Sequence, residues 1–134
     1  MLKKTFSQWL GGNRQQTSEN RADFPWADLK DLNQLKDEGG NDTGKIQIIF
    51  KHSTRCGISS MMLRRFEVDW KQHTTGKDFF LLDLIRHRGL SNAVAEIYGV
   101  HHQSPQVLII KESTLVASRS HGDISSLTPE EHTA

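Results

Sequence analysis

Ile46-Gln47-Ile48-Ile49-Phe50-Lys51-His52-Ser53-Thr54-Arg55-Cys56-Gly57-Ile58-Ser59 is the stretch on which the reading of the fold turns. Its first five residues form a nearly continuous apolar run, as a buried strand does. His52 to Gly57 is a short polar loop. Beyond it Ile58, Met62 and Phe66 recur at helical spacing, joined by Met61, Leu63 and Trp70. That spacing predicts a helix to about His73, where Thr74-Thr75-Gly76 ends it. The only cysteine of the sequence, Cys56, stands where strand gives way to helix.

Working outward, Phe79 to Ile85 reads as a second long strand. Ser91 is the expected cap of a helix through Ala93, Val94, Ile97 and Tyr98, stopped by Gly99. Pro105 leads into Val107-Leu108-Ile109-Ile110, a turn near Glu112-Ser113, and Thr114 to Ser118, which together predict a hairpin. A last, weakly apolar helix is expected after Gly122-Asp123. Upstream, Asp31 with Gln34 has the pattern of a capping box, predicting a helix through Leu32 and Leu35 that ends at Gly39-Gly40. Trp26 to Leu29 has the makings of a short strand. Strands alternating with helices imply parallel pairing, and the hairpin adds an antiparallel edge. The expected fold class is therefore α/β and thioredoxin-like, a central mixed four- or five-stranded sheet flanked by helices. Residues 25–134 form this domain. Residues 1–24 read as an extension, partly flexible, with Leu2, Phe6, Trp9 and Leu10 offering a short apolar face.

The sequence has 134 residues, 35% of them hydrophobic and 25% charged, with a formal net charge of +1. Such a chain buries a real core without staples. It carries no basic block, so nucleic acid is not an expected partner. No apolar run approaches the length of a membrane span, and Met1 to Leu10 lacks the features of a secretory signal. A single thiol forms no internal disulfide and points to a reducing, cytoplasmic location. A monomer is expected.

A lone cysteine is most often a small buried hydrophobe. Cys56 is placed differently: it precedes a helix, where free backbone N–H groups and the positive end of the helix dipole face its sulfur. Thiolate is the nucleophilic form, and helix N-termini favour it. Arg55 adds a positive charge or is a plain solvated residue. Ser59, at i+3, either donates a hydrogen bond to the thiolate or caps the helix. The second constellation is Ser104-Pro105. A proline can open a strand but not sit inside a central one. Either it ends a loop, or it is a cis proline whose preceding residue offers backbone to an extended substrate.

Phe50-Lys51-His52-Ser53-Thr54-Arg55-Cys56-Gly57-Ile58-Ser59, with Ser104-Pro105 and the closing Ser120-His121, resembles the monothiol bacilliredoxins, the YtxJ-like proteins of the bacillithiol system. The resemblance spans about residues 25 to 130. It implies a thiol–disulfide oxidoreductase that removes bacillithiol from mixed disulfides on client proteins through Cys56. Thr54, Arg55, Gly57, Ser59, Ser104 and Pro105 would bind the thiol substrate. No cofactor is expected to be bound; bacillithiol is the thiol co-substrate, and the partners are bacillithiol-modified proteins and low-molecular-weight thiols. Bacillithiol carries a malate with two carboxylates, which Arg55 and backbone N–H groups near Gly122-Asp123 are placed to hold. Many relatives carry proline where this chain has Gly57.

Cys56-Gly57-Ile58-Ser59 also has the Cys-Gly-x-Ser pattern of monothiol glutaredoxins, which supports an alternative as an iron–sulfur cluster or thiol carrier. A redox-inert adaptor is the third reading. His52, His101 and His102 match no metal-ligand spacing with cysteine, so no metal site is expected. His52 and Lys51 stand close enough in sequence to raise the potential near Cys56, although strand alternation turns one of them away.

Overall fold

The computed structural model describes residues 24–132. Its five strands are β1 (Trp26–Asp28), β2 (Ile46–His52), β3 (Lys77–Asp83), β4 (Gln106–Lys111) and β5 (Thr114–Ser120), and its two helices are α1 (Gly57–Trp70) and α2 (Arg88–Tyr98). The sheet order is β1-β3-β2-β4-β5. β1 and β2 run parallel to β3, while β4 is antiparallel to both β2 and β5. This is the expected mixed thioredoxin-like sheet, in its five-stranded form.

Strand alternation divides the core into two layers. Ile46, Ile48 and Phe50 of β2 join Val107 and Ile109 of β4, and meet Met62, Leu63, Phe66 and Trp70 of α1. Ile49, Leu82, Leu108 and Ile110 face the other way and pack with Val94 of α2. Phe66 stacks on Trp70 at 5.0 Å, within an aromatic cluster that includes Phe24, Trp26 and Phe79. Phe24, read from sequence as part of the extension, is therefore a buried member of the core. The rest of that extension lies outside the described residues.

Several local expectations are corrected. The capping box at Asp31 and Gln34 forms, but it opens a single 3₁₀ turn, Leu32–Leu35, rather than a helix to Gly39-Gly40. Lys36 is already extended and bridges Asp42, while the Asp37 carboxylate accepts from the backbone N–H groups of Gly39 and Asn41 and closes the turn early. Ser91 does not cap α2. The helix starts at Arg88, and Ser91 is buried within it, its N–H bonded to His87 O. The final helix is two short 3₁₀ turns, His121–Ser126 and Pro129–Glu131, with Ile124, Leu127 and Pro129 buried. β3 begins two residues before Phe79, because its register with β2 runs from Ile46 opposite Lys77 to His52 opposite Asp83.

Candidate functional site

The site is built where the end of β2, the start of β4 and the closing segment meet at one end of the sheet. β2 runs out at His52 into the loop Ser53–Cys56, and β4 begins beside it, with Gln106 opposite Lys51. The residues just before β4 are Ser104 and Pro105, joined by a cis peptide bond. Adjacent antiparallel strands thus set the cysteine loop and the cis proline at the same end of the molecule. The closing segment joins them through His121 N, which donates to Pro105 O at 3.0 Å.

Cys56 is the N-cap residue of α1, with extended backbone (φ −112°, ψ 120°) and no side-chain capping bond. Its thiol is half-buried. Its C=O accepts the N–H of Ser60 at 3.1 Å, and its own N–H closes a tight turn onto Ser53 O at 3.1 Å. The sulfur therefore stands at the positive end of a 14-residue helix, where negative charge is stabilised. Thr54, Arg55 and Gly57 around it are exposed; Ser104 is half-buried, and Pro105 is buried. Ile58 and Met61 of the first helical turns are about half exposed, at 52% and 53%.

Ser59 plays a part that neither expected role describes. It has no exposed surface. Its hydroxyl lies 2.7 Å from His52 Nδ1 and accepts the N–H of Ser53 at 3.0 Å. Its two bonds tie α1 to the end of β2 and to the start of the cysteine loop, so Ser59 shapes that loop. His52 is the residue that faces α1.

Lys51 is turned to the opposite layer and is fully buried. Its Nζ donates to Ser91 O at 3.2 Å and lies 3.2 Å from His102 Nδ1. Burial lowers its pKa from 10.5 to about 8. The Ser91 hydroxyl also reaches His102 Nδ1, at 3.3 Å. An ammonium has no lone pair to offer, so Nδ1 accepts and the imidazole proton resides on Nε2. Burial, then the charges of Lys51, Arg88 and His101, hold the His102 pKa below its usual range. Gln106, opposite Lys51 in the ladder, donates to His101 O at 2.9 Å. Sequence reasoning missed this group. Its members lie in β2, α2 and the loop before β4, and no spacing signals them. The one legible hint was a lysine ending an apolar run.

Among the described residues no three of His, Cys, Asp and Glu converge as a metal site would require, and no helix is long and apolar enough to cross a membrane. Gly122 and Asp123 lie in a short 3₁₀ turn and are exposed.

Residues 27–128 match the family described as monothiol bacilliredoxin BrxC. Among solved structures, the chain is similar to one described as a candidate oxidoreductase with a thioredoxin fold, at 28% identity and a TM-score of 0.66, covering 76% of this chain and 88% of that one. It is also similar to a thioredoxin of Malassezia sympodialis, at 19% identity and a TM-score of 0.63, covering 80% and 90%. A third is the thioredoxin of Trypanosoma brucei brucei, at 12% identity and a TM-score of 0.61, covering 77% and 85%. The last two likenesses bear on the fold alone. The chain belongs to the monothiol bacilliredoxin family, with a thioredoxin fold and a thiol-redox role.

Proposed function

We propose that this member of the monothiol bacilliredoxin family removes bacillithiol from mixed disulfides on client proteins, with Cys56 as the nucleophile. The observation that carries the reading is the setting of Cys56: a half-buried thiol at the N-cap position of α1, in the loop that follows the strand paired with the one opened by the cis Ser104–Pro105 bond. In the first step the Cys56 thiolate attacks the bacillithiol sulfur. A Cys56–bacillithiol disulfide forms, the client–bacillithiol disulfide breaks, and the electron pair leaves with the client thiolate. With one cysteine in the sequence, the adduct is resolved by an external thiol. That thiolate attacks the bacillithiol sulfur, takes it as a new disulfide, and returns Cys56 to its reduced form.

Ser104 would align an extended client segment through its backbone, as an added strand is aligned. Arg55 and Thr54, both exposed and next to Cys56 in the loop, would meet the modified segment. The reaction is neutral in electrons, because each exchange consumes one disulfide and one thiol and forms one of each.

The test uses a bacillithiolated peptide with a single cysteine, incubated with the reduced protein under anaerobic conditions. Release of free peptide, with one bacillithiol mass gained by the protein, is the expected result; Cys56→Ser should release none. Release by Cys56→Ser at the wild-type rate would refute the assignment.

A further inference from the structure

A cavity of about 200 Å³ lies beside the cysteine loop, lined by Ser53, Arg88, Ser91, His102 and Ser104 with Leu84 and Ile85. Its polar lining residues can all donate hydrogen bonds, the serine hydroxyls accepting as well. Arg88, the first residue of α2, is exposed and makes no ion pair among the described residues. The N-cap residue of that helix, His87, makes no side-chain capping bond. His102 has Nδ1 engaged with Lys51 and Ser91, which leaves Nε2–H as the donor of a neutral ring. No carboxylate is among the lining residues. The nearest acid in sequence, Asp83, directs Oδ1 onto the backbone N–H groups of Ile85 and Arg86.

Behind the lining sits the buried ammonium of Lys51, with no carboxylate partner among the described residues. An unpaired buried cation costs stability, so its retention calls for a physical reason. A cavity at its far side that receives an anion supplies one. Two of its lining residues adjoin the site: Ser53 belongs to the loop that presents Cys56, and Ser104 precedes the cis proline.

We propose that this cavity is a carboxylate-binding subsite for the small thiol that exchanges at Cys56, with Arg88 as the ion-pairing residue, His102 Nε2–H as a second donor, and Lys51 as the positioning residue that fixes the His102 tautomer. The planar guanidinium fork matches a carboxylate. A small, partly open cavity suits a compact acid rather than the backbone of a client chain. The proposal rests on the thiol-exchange reading above, and moves the carboxylate anchor from Arg55, which does not line the cavity, to Arg88, which does.

Two measurements test it. The first compares rates of adduct formation at Cys56 with bacillithiol disulfide and with the uncharged bis(2-hydroxyethyl) disulfide, in wild type, Arg88→Gln and Lys51→Met. Loss of one charge-assisted contact should lower the ratio of the two rates about ten-fold in Arg88→Gln. An unchanged ratio would overturn the subsite. The second follows amide and imidazole NMR signals of the folded Cys56→Ser protein as L-malate is added, with its dimethyl ester as control. Malate should move the signals of Arg88, Ser91 and His102, and the ester should not. In Lys51→Met the His102 ring signals should show loss of the single tautomer, which a purely structural lysine would not produce.

Malate binding at Arg88 in a protein whose wild type takes no bacillithiol adduct would sink the exchange reading and leave the subsite standing. Normal adduct formation with no malate response and no change in Arg88→Gln would sink the subsite alone. An acidic peptide that shifts these signals where malate does not would assign the cavity to client proteins and overturn the proposal as stated.

Discussion

Two buried polar residues of β2 and α1 carry opposite lessons about charge. Ser59 is satisfied on both sides, by His52 and by Ser53 N–H. Ser59→Ala leaves those groups without this partner inside the protein, which costs about 1–3 kcal/mol. Urea unfolding should show that loss, with slower adduct formation at Cys56 because the loop is no longer pinned; wild-type stability and rate would remove Ser59 from the account. Lys51 instead carries a cost. Its pKa is about 8 in the folded protein against 10.5 for the free side chain. Between those values the unfolded chain still holds a proton that the folded state has released, so stability rises with pH across that window. The gain from pH 7 to 10.5 amounts to at most about 3 kcal/mol. Wild type should therefore gain stability relative to Lys51→Met over this range. Parallel pH dependences of the two proteins would contradict a buried ammonium. Cys56 and Pro105 were legible in the sequence as candidate site residues because a motif holds them. The Lys51–His102–Ser91 group was invisible, because burial and not spacing brings it together.

Among the elements, α1 is the one whose start matters most. Gly57 occupies its first position, has no positive φ, and a Cβ there would meet nothing within 4 Å. Cys56 before it is extended, a conformation that a following proline accepts. Proline at the first helical position loses no hydrogen bond and restricts the unfolded chain. Gly57→Pro should thus stabilise the protein by about 0.4–1 kcal/mol, read as a higher urea midpoint; a lower midpoint would show that the loop needs the freedom of glycine. Further along, Phe66 sits in the aromatic cluster at 1% exposure. Truncation to alanine should cost about 3–5 kcal/mol, measured in the same way. The elements that the sequence predicted well are those with long apolar runs, β2 and β4, and α1 with its helical repeat. Those it misplaced depend on tertiary contacts. Asp31 and Gln34 form a proper cap, yet Lys36 pairs with Asp42 and stops the helix after one turn. Ser91 looked like a cap because serine favours that position, whereas here its hydroxyl is drawn inward to His102.

At the scale of the molecule, one strand order explains both the stability and the chemistry. β2 at the centre of the sheet gives its alternate faces to two core layers, and its end delivers Cys56 on one side and Lys51 on the other. The mixed sheet was legible from the order of elements alone, because β-α-β-α-β-β leaves few topologies open. The cavity between α2, the cysteine loop and the proline loop was not, since it exists only once the β2–β3 and β3–β4 connections have been laid side by side. The central claim is that Cys56 accepts bacillithiol by thiol–disulfide exchange. Intact-mass spectrometry of the reduced protein after brief exposure to bacillithiol disulfide, alongside glutathione disulfide, tests it most directly. The account predicts a single bacillithiol adduct, formed faster than the glutathione adduct and absent from Cys56→Ser. An adduct that persists in Cys56→Ser, or a wild-type protein that takes no bacillithiol, would contradict it.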